Sequence, residues 1–151
     1  MSFISDLYDA TVADVSAALP TYDQIANLPD PEANANNLFT KSFGVGFGPG
    51  TNTNRLTKPK FSRQIQVDII LINKVTSTQS NTTFLSDQQK AMQEDLFAII
   101  REITSGTNVN ALCPTKNEYT ADSGIELIEG EKASYYIINS LFTFEYFETL
   151  P

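Results

Sequence analysis

Apolar side chains return at steps of three and four along residues 4–19: Ile4, Leu7, Tyr8, Val12, Val15 and Leu19. That spacing lays a single apolar stripe along a helix. Ser2 or Ser5 can cap its start, Asp6 suits the positive end of the helix dipole, and Pro20 stops it. Asp6, Asp9 and Asp14 read as charges on its solvated side. Residues 20–40, with Pro20, Pro29, Pro31 and the run ANANN, hold no period and read as loop, with room for a helical turn.

From Lys41 the period changes to two. In KSFGVGFGPGTNTNR (41–55), Phe43, Val45 and Phe47 point one way, and Ser42, Gly44, Gly46 and Gly48 the other. Period two is a strand with one apolar face and one bare face, and a bare face lets another backbone or subunit come close. The glycines fit no phosphate cradle. A dinucleotide fingerprint needs a third Gly where this chain has Pro49 or Thr51, and a P-loop needs a Gly-Lys pair that is absent. The following GPGTNTNRLTKPK is rich in turn residues and reads as a contact loop of about 12 residues. Phe61–Asn73 alternates again, through Ile65, Val67, Ile69 and Leu71, so the two strands form an antiparallel hairpin.

After a polar connection at residues 76–83, a second helix is expected from Ser86 to Thr104. Its stripe is Met92, Leu96, Ile99, Ile100 and Ile103, with Phe97 beside it. Ser86 and Gln89 make a capping-box pattern, and Gly106 follows the end as a C-cap glycine would. Cys113–Tyr119 reads as irregular and briefly extended. Gly124–Glu129 is a strand, Gly130-Glu131-Lys132 a turn, and Ser134–Glu148 the longest strand, about 45 Å in extent. Both faces of its first part are apolar, as in a covered central strand. The order helix, hairpin, helix, hairpin over residues 1–151 predicts one α+β domain. It has an antiparallel or mixed sheet of about four strands, two helices packed on one face, and a long hairpin arm.

Composition narrows the chemistry. The chain has no His, which removes the commonest general base and metal ligand and the Ser-His and Cys-His nucleophile pairs. Its single cysteine, Cys113, excludes an internal disulfide and a Cys-rich zinc site. Cys113 has no basic neighbour in sequence and reads as structural. Carboxylates cluster at Glu126, Glu129 and Glu131, at Glu145 and Glu148, and at Glu94 and Asp95. Glu126 and Glu145 fall on strands expected to be neighbours, yet an acidic solvated sheet edge explains them without a metal or glycosidase site. No cofactor is expected, and no enzyme activity. The N-terminus carries no signal-peptide pattern, and no apolar run reaches bilayer length, so a soluble protein of a reducing cytosol is expected, with no membrane partner. Asn81-Thr82-Thr83 matches a glycosylation triplet that nothing else supports.

Net charge is −8, so the surface as a whole repels nucleic acid. Yet Lys41, Arg55, Lys58, Lys60, Arg63 and Lys74 supply six of the ten Lys and Arg. The basic stretch Arg55 to Arg63 could serve as a DNA patch, but it lacks the close aromatic interleaving of a single-strand binder, and on an acidic chain a local basic arm better suits contact with an acidic surface of an identical neighbour. The candidate subunit or partner interface is therefore Gly44, Gly46, Gly48, Asn52, Asn54, Arg55, Lys58, Lys60 and Arg63.

In pattern and order the chain resembles tail terminator proteins of long-tailed bacteriophages. The likeness rests on the N-terminal helix ending in a proline loop, on FGVGFGPGTNTNRLTKPKFSRQIQVDIIL, on EDLFAIIREI, and on SGIELI…SYYIINSLFTFEYFE. It implies a non-enzymatic virion protein of the tail or neck, assembled in the host cytoplasm. It implies a hexameric ring of the protein with itself, which caps the tail tube protein, ends tube growth and offers a surface to the head-side connector. DNA would pass the lumen without specific binding. The alternatives are another neck protein, such as a connector or stopper, a tail tube subunit, or a carboxylate- or metal-dependent hydrolase.

Overall fold

The computed structural model describes residues 3–25, 41–57, 60–75, 87–114, 116–129 and 134–149. Its elements, in chain order, are α1 (Phe3–Ala18), β1 (Asp23–Gln24), β2 (Lys41–Thr57), β3 (Lys60–Lys74), α2 (Asp87–Ser105), α3 (Asn108–Leu112), β4 (Lys116–Asp122), β5 (Glu126–Glu129) and β6 (Ser134–Thr149). The class is α+β, as the hydrophobic pattern predicts. The sheet holds six strands rather than four, in the order β1-β2-β3-β6-β4, with β5 also on β6. All pairings are antiparallel except that of β1 with β2.

The sheet's two faces follow from the period of two. Phe43, Val45 and Phe47 of β2 lie opposite Leu71, Ile69 and Val67 of β3. Leu71 and Val67 in turn face Ile138 and Phe142 of β6. These side chains share one core with Leu7 and Val15 of α1 and with Met92, Leu96, Ile99 and Ile103 of α2. The helices therefore cover this face. The four buried residues of α2 recur at steps of four, three and four, which is one helical stripe. Phe97 lies off that stripe and is 59% exposed. The opposite face carries Gly44, Gly46 and Gly48. At its lower end lies a smaller apolar cluster of Ile72, Tyr135 and Ile137, with Ile25, Ile70 and Ile128 packed against it. Tyr135, Tyr136, Ile137 and Ile138 are all buried, as expected where a central strand is apolar on both sides.

Three expectations change. The glycine- and asparagine-rich stretch is not a long loop. Strand pairing continues from Lys41↔Asn73 to Thr57↔Lys60, leaving only residues 58 and 59 between the strands. The turn-forming residues are taken up by register shifts between Phe47 and Gly50, Asn52 and Asn54, and Asn54 and Thr57. A β-bulge places an extra residue on one strand without ending the ladder. Cys113–Tyr119 is not irregular throughout: α3 precedes it and β4 begins at Lys116. Within the segment read as loop, β1 adds two residues to the edge of β2, while residues 26–40 lie outside the described residues. So do the polar connection at 76–83 and the Ser86 cap.

β4 and β5 lie end to end along one side of β6. Between them Ser123 keeps the ladder whole: its N–H donates to the Asn139 carbonyl (2.9 Å), and its Oγ accepts from the Asn139 N–H (3.0 Å). Gly124 makes the jog at φ 73°, a conformation that L side chains resist, and the Asp122 carboxylate accepts its N–H (2.7 Å). Gly106 ends α2 differently. It has no positive φ, but a Cβ there would collide with the Glu102 carbonyl oxygen, which accepts the Gly106 N–H.

Candidate functional site

Glu126 and Glu145 do not converge. Glu126 pairs with Ile137, whereas Glu145 sits eight positions further along β6 and pairs with Lys116. At about 3.3 Å per residue that separates them by roughly 26 Å. The Glu145 carboxylate accepts from Gln64 Nε2 at 3.2 Å, a cross-strand contact. Among the described residues no group of three His, Cys, Asp or Glu side chains stands ready to hold a metal ion. The Cys113 thiol is buried, and burial pushes its pKa up to about 12, away from thiolate chemistry. Lys116 and Glu118 form an exposed ion pair at 3.9 Å, of the kind that adds little stability. Burial first, then the Asp122 carboxylate that accepts its hydroxyl proton, raises Tyr119 to about 12.

Asp14 departs most from expectation. It is not on a solvated face but fully buried. Its carboxylate oxygens accept from Asn108 Nδ2 and from the Val109 N–H, both at 2.9 Å. Val109 is the second residue of α3, where a helix N–H has no partner in its own helix. The residue before α3, Thr107, makes no side-chain cap. A carboxylate of one helix thus caps another. A signal was present: Leu7, Thr11 and Asp14 stand at steps of four and three, and all three are completely buried. Sequence reasoning also missed a tie between the α1–β1 connection and α2. The Tyr22 hydroxyl donates to Asp95 Oδ2 at 2.7 Å, and Lys41 Nζ lies 5.7 Å from the centre of the Tyr22 ring. Burial, and then the Asp95 carboxylate, raise the Tyr22 pKa.

The candidate interface residues are all on the β2–β3 hairpin except Lys58, which lies outside the described residues. Gly44, Gly46 and Gly48 stand in one column on the face away from the helices. Gly44 is buried and the other two are half-buried. A Cβ on Gly48 would press on Gln66, its cross-strand neighbour. Asp68 lies opposite Gly46 on one side and Leu141 on the other, and burial raises its pKa. Asn52, Asn54, Arg55 and Lys60 belong to the bulged outer part of the hairpin. Arg63 turns to the helix-side face, where Nη1 donates to the Tyr146 hydroxyl at 3.3 Å. Its guanidinium covers Gly50 so closely that a Cβ there would meet Nε and Nη2 at 2.6 Å. Arg63, opposite Asn52 in the outer part of the hairpin, is therefore engaged within its own chain.

Among the described residues, β2 has no strand on its outer side beyond the two residues of β1, and none pairs with the outer side of β4 or β5.

No protein-family model matches the chain, and no curated protein sequence matches it. Among solved structures, the chain is similar to one from "Virion of native gene transfer agent (GTA) particle". The two share 16% identity, with a TM-score of 0.40, over 95% of this chain and 93% of that one.

Proposed function

We propose that this protein is a non-enzymatic structural component of a phage-like virion, a tail terminator. Six copies close a ring on the end of the tail tube, stop its growth and present a joining surface to the head-side connector. The observation that carries this reading is the sheet itself. It has an open strand on each side among the described residues, and the two open strands run in opposite directions. Such a sheet can be continued head to tail by identical copies, which is the contact a closed ring requires. The four-place resemblance of the sequence to terminators supports the same reading. A net charge of −8 suits a collar through which DNA slides without adsorbing.

The test is electron microscopy of tails assembled with and without the protein. Tails made without it should be longer and of scattered length. Uniform lengths in its absence would refute the terminator role. Adding the protein to growing tubes separates the alternatives: a terminator halts growth, whereas a tube subunit is incorporated and growth goes on.

A further inference from the structure

The outer edge of β2 is not equally receptive along its length. Ile25 N–H donates to the Phe43 carbonyl at 2.8 Å, so the main-chain groups of Phe43 face away from β3. Alternation along an antiparallel strand then turns those of Val45 and Phe47 outward as well, while those of Gly44 and Gly46 bond β3. β1 ends at Gln24, opposite Phe43, and among the described residues no strand pairs with Val45 or Phe47 on the outer side of β2. Phe47 is held at the end of this segment by an edge-to-face contact with Tyr8, ring centres 6.1 Å apart. Beyond Phe47 the regularity stops, with three register shifts before Thr57. Bulges twist an edge strand and break the even spacing of its free groups, so they block strand addition.

On the other side of the sheet, the Asn139 N–H and carbonyl both engage Ser123, so alternate residues of β6 turn towards β4. Their partners on β4 include Lys116 and Glu118, which leaves the main-chain groups of Asn117 and Tyr119 facing outward. β2 and β6 run one way, β3 and β4 the other. A copy brought alongside by rotation therefore presents its β4 to β2 in antiparallel sense. The bare column of Gly44 and Gly46 leaves room on that face for the incoming side chains of Glu118 and its neighbours.

We propose that a second copy of this chain adds the Asn117–Tyr119 segment of its β4 to the Gly44–Phe47 segment of β2, and that the register shifts beyond Phe47 close the rest of that edge to pairing. The choice of a second copy as partner rests on the ring reading above. The test is amide hydrogen exchange on the isolated chain and on the assembled ring, read at single residues. Val45 and Phe47 amides should exchange at least about tenfold more slowly in the ring, with no such gain at Asn52 or Asn54. A second measurement replaces Val45 by its α-hydroxy acid, which keeps the side chain, removes the outward N–H and weakens the Gly44 carbonyl as an acceptor towards β3. Self-association should weaken about three- to tenfold while circular dichroism stays unchanged. Rings whose Val45 and Phe47 amides exchange as in the isolated chain would overturn this pairing and leave the terminator reading intact. Failure to form any ring, even on tube ends, would overturn both.

Discussion

Asp14→Ala tests whether one buried carboxylate joins α1 to α3. The substitution removes two carboxylate acceptors, one for the Val109 N–H and one for Asn108 Nδ2, each at 2.9 Å. Val109 is completely buried, so its N–H loses its partner with no water to replace it. A buried donor left unpaired costs about 1–3 kcal/mol, and the loss of a helix cap about 0.5–2 kcal/mol. These describe largely the same loss and do not add. Asn108 is exposed and can turn to water, contributing roughly 0.5 kcal/mol more. The expected destabilisation is about 2–3 kcal/mol. For a domain of this length that lowers Tm by about 4–12 °C. The assay is urea unfolding followed by circular dichroism, with Asp6→Ala as the control, because Asp6 is exposed on the same helix. The control should change stability by no more than about 0.5 kcal/mol. Asp14→Asn keeps the size and one acceptor and should fall between the two. If Asp14→Ala is no worse than Asp6→Ala, the cross-helix cap contributes nothing and the reasoning fails.

Two further predictions concern Asp68 and the glycines. Burial raises the Asp68 pKa, and its cross-strand neighbours Gly46 and Leu141 offer no opposing charge. The folded state thus favours its protonated form, and this favourable contribution is complete below the ordinary carboxylate range and lost as pH rises from there through the raised folded-state pKa. Asp68→Asn should therefore gain Tm over the parent as pH goes from about 3 to about 7, and a constant difference would refute the assignment. Gly106→Ala drives a Cβ into the Glu102 carbonyl, whereas Gly50→Ala meets only the movable end of Arg63. The first should cost more than about 1 kcal/mol and the second less than about 0.5 kcal/mol in urea unfolding. Equal costs would contradict the packing described.

The elements legible in the sequence were those whose side chains repeat cleanly. Phe43, Val45 and Phe47 alternate with small residues, and Ile65, Val67, Ile69 and Leu71 with mostly polar ones, because one face packs on helices and the other does not. Met92, Leu96, Ile99 and Ile103 mark α2 by the same logic. What was not legible has physical causes. Pro49, Gly50, Asn52 and Asn54 are turn formers, but on an edge strand each extra residue can bulge outward while the ladder continues. β4, KNEYTAD, has one neighbour and largely exposed side chains, so no apolar period betrays it. α3 has five residues, too few for a helical repeat to show. The charge of Asp14 suggests a solvated side chain, but its position on the wheel, seven after Leu7, is the better guide. The hairpin that carries the interface candidates is legible in the sequence, but only the structure reveals that Arg63 is already bound to Tyr146.

The pairing of β3 has a mechanical consequence. From Lys60 to Lys74 every residue has a partner on β6, and β2 lies along its other side. Their hydrogen bonds run across the strand axis, so a pull along that axis strains them in shear, many at once. A zipper loaded from one end yields tooth by tooth, whereas this ribbon shares an axial load along roughly 50 Å of its length. Force arriving at the hairpin tip is therefore delivered to the helix-covered body with little stretch between them, as through a strut.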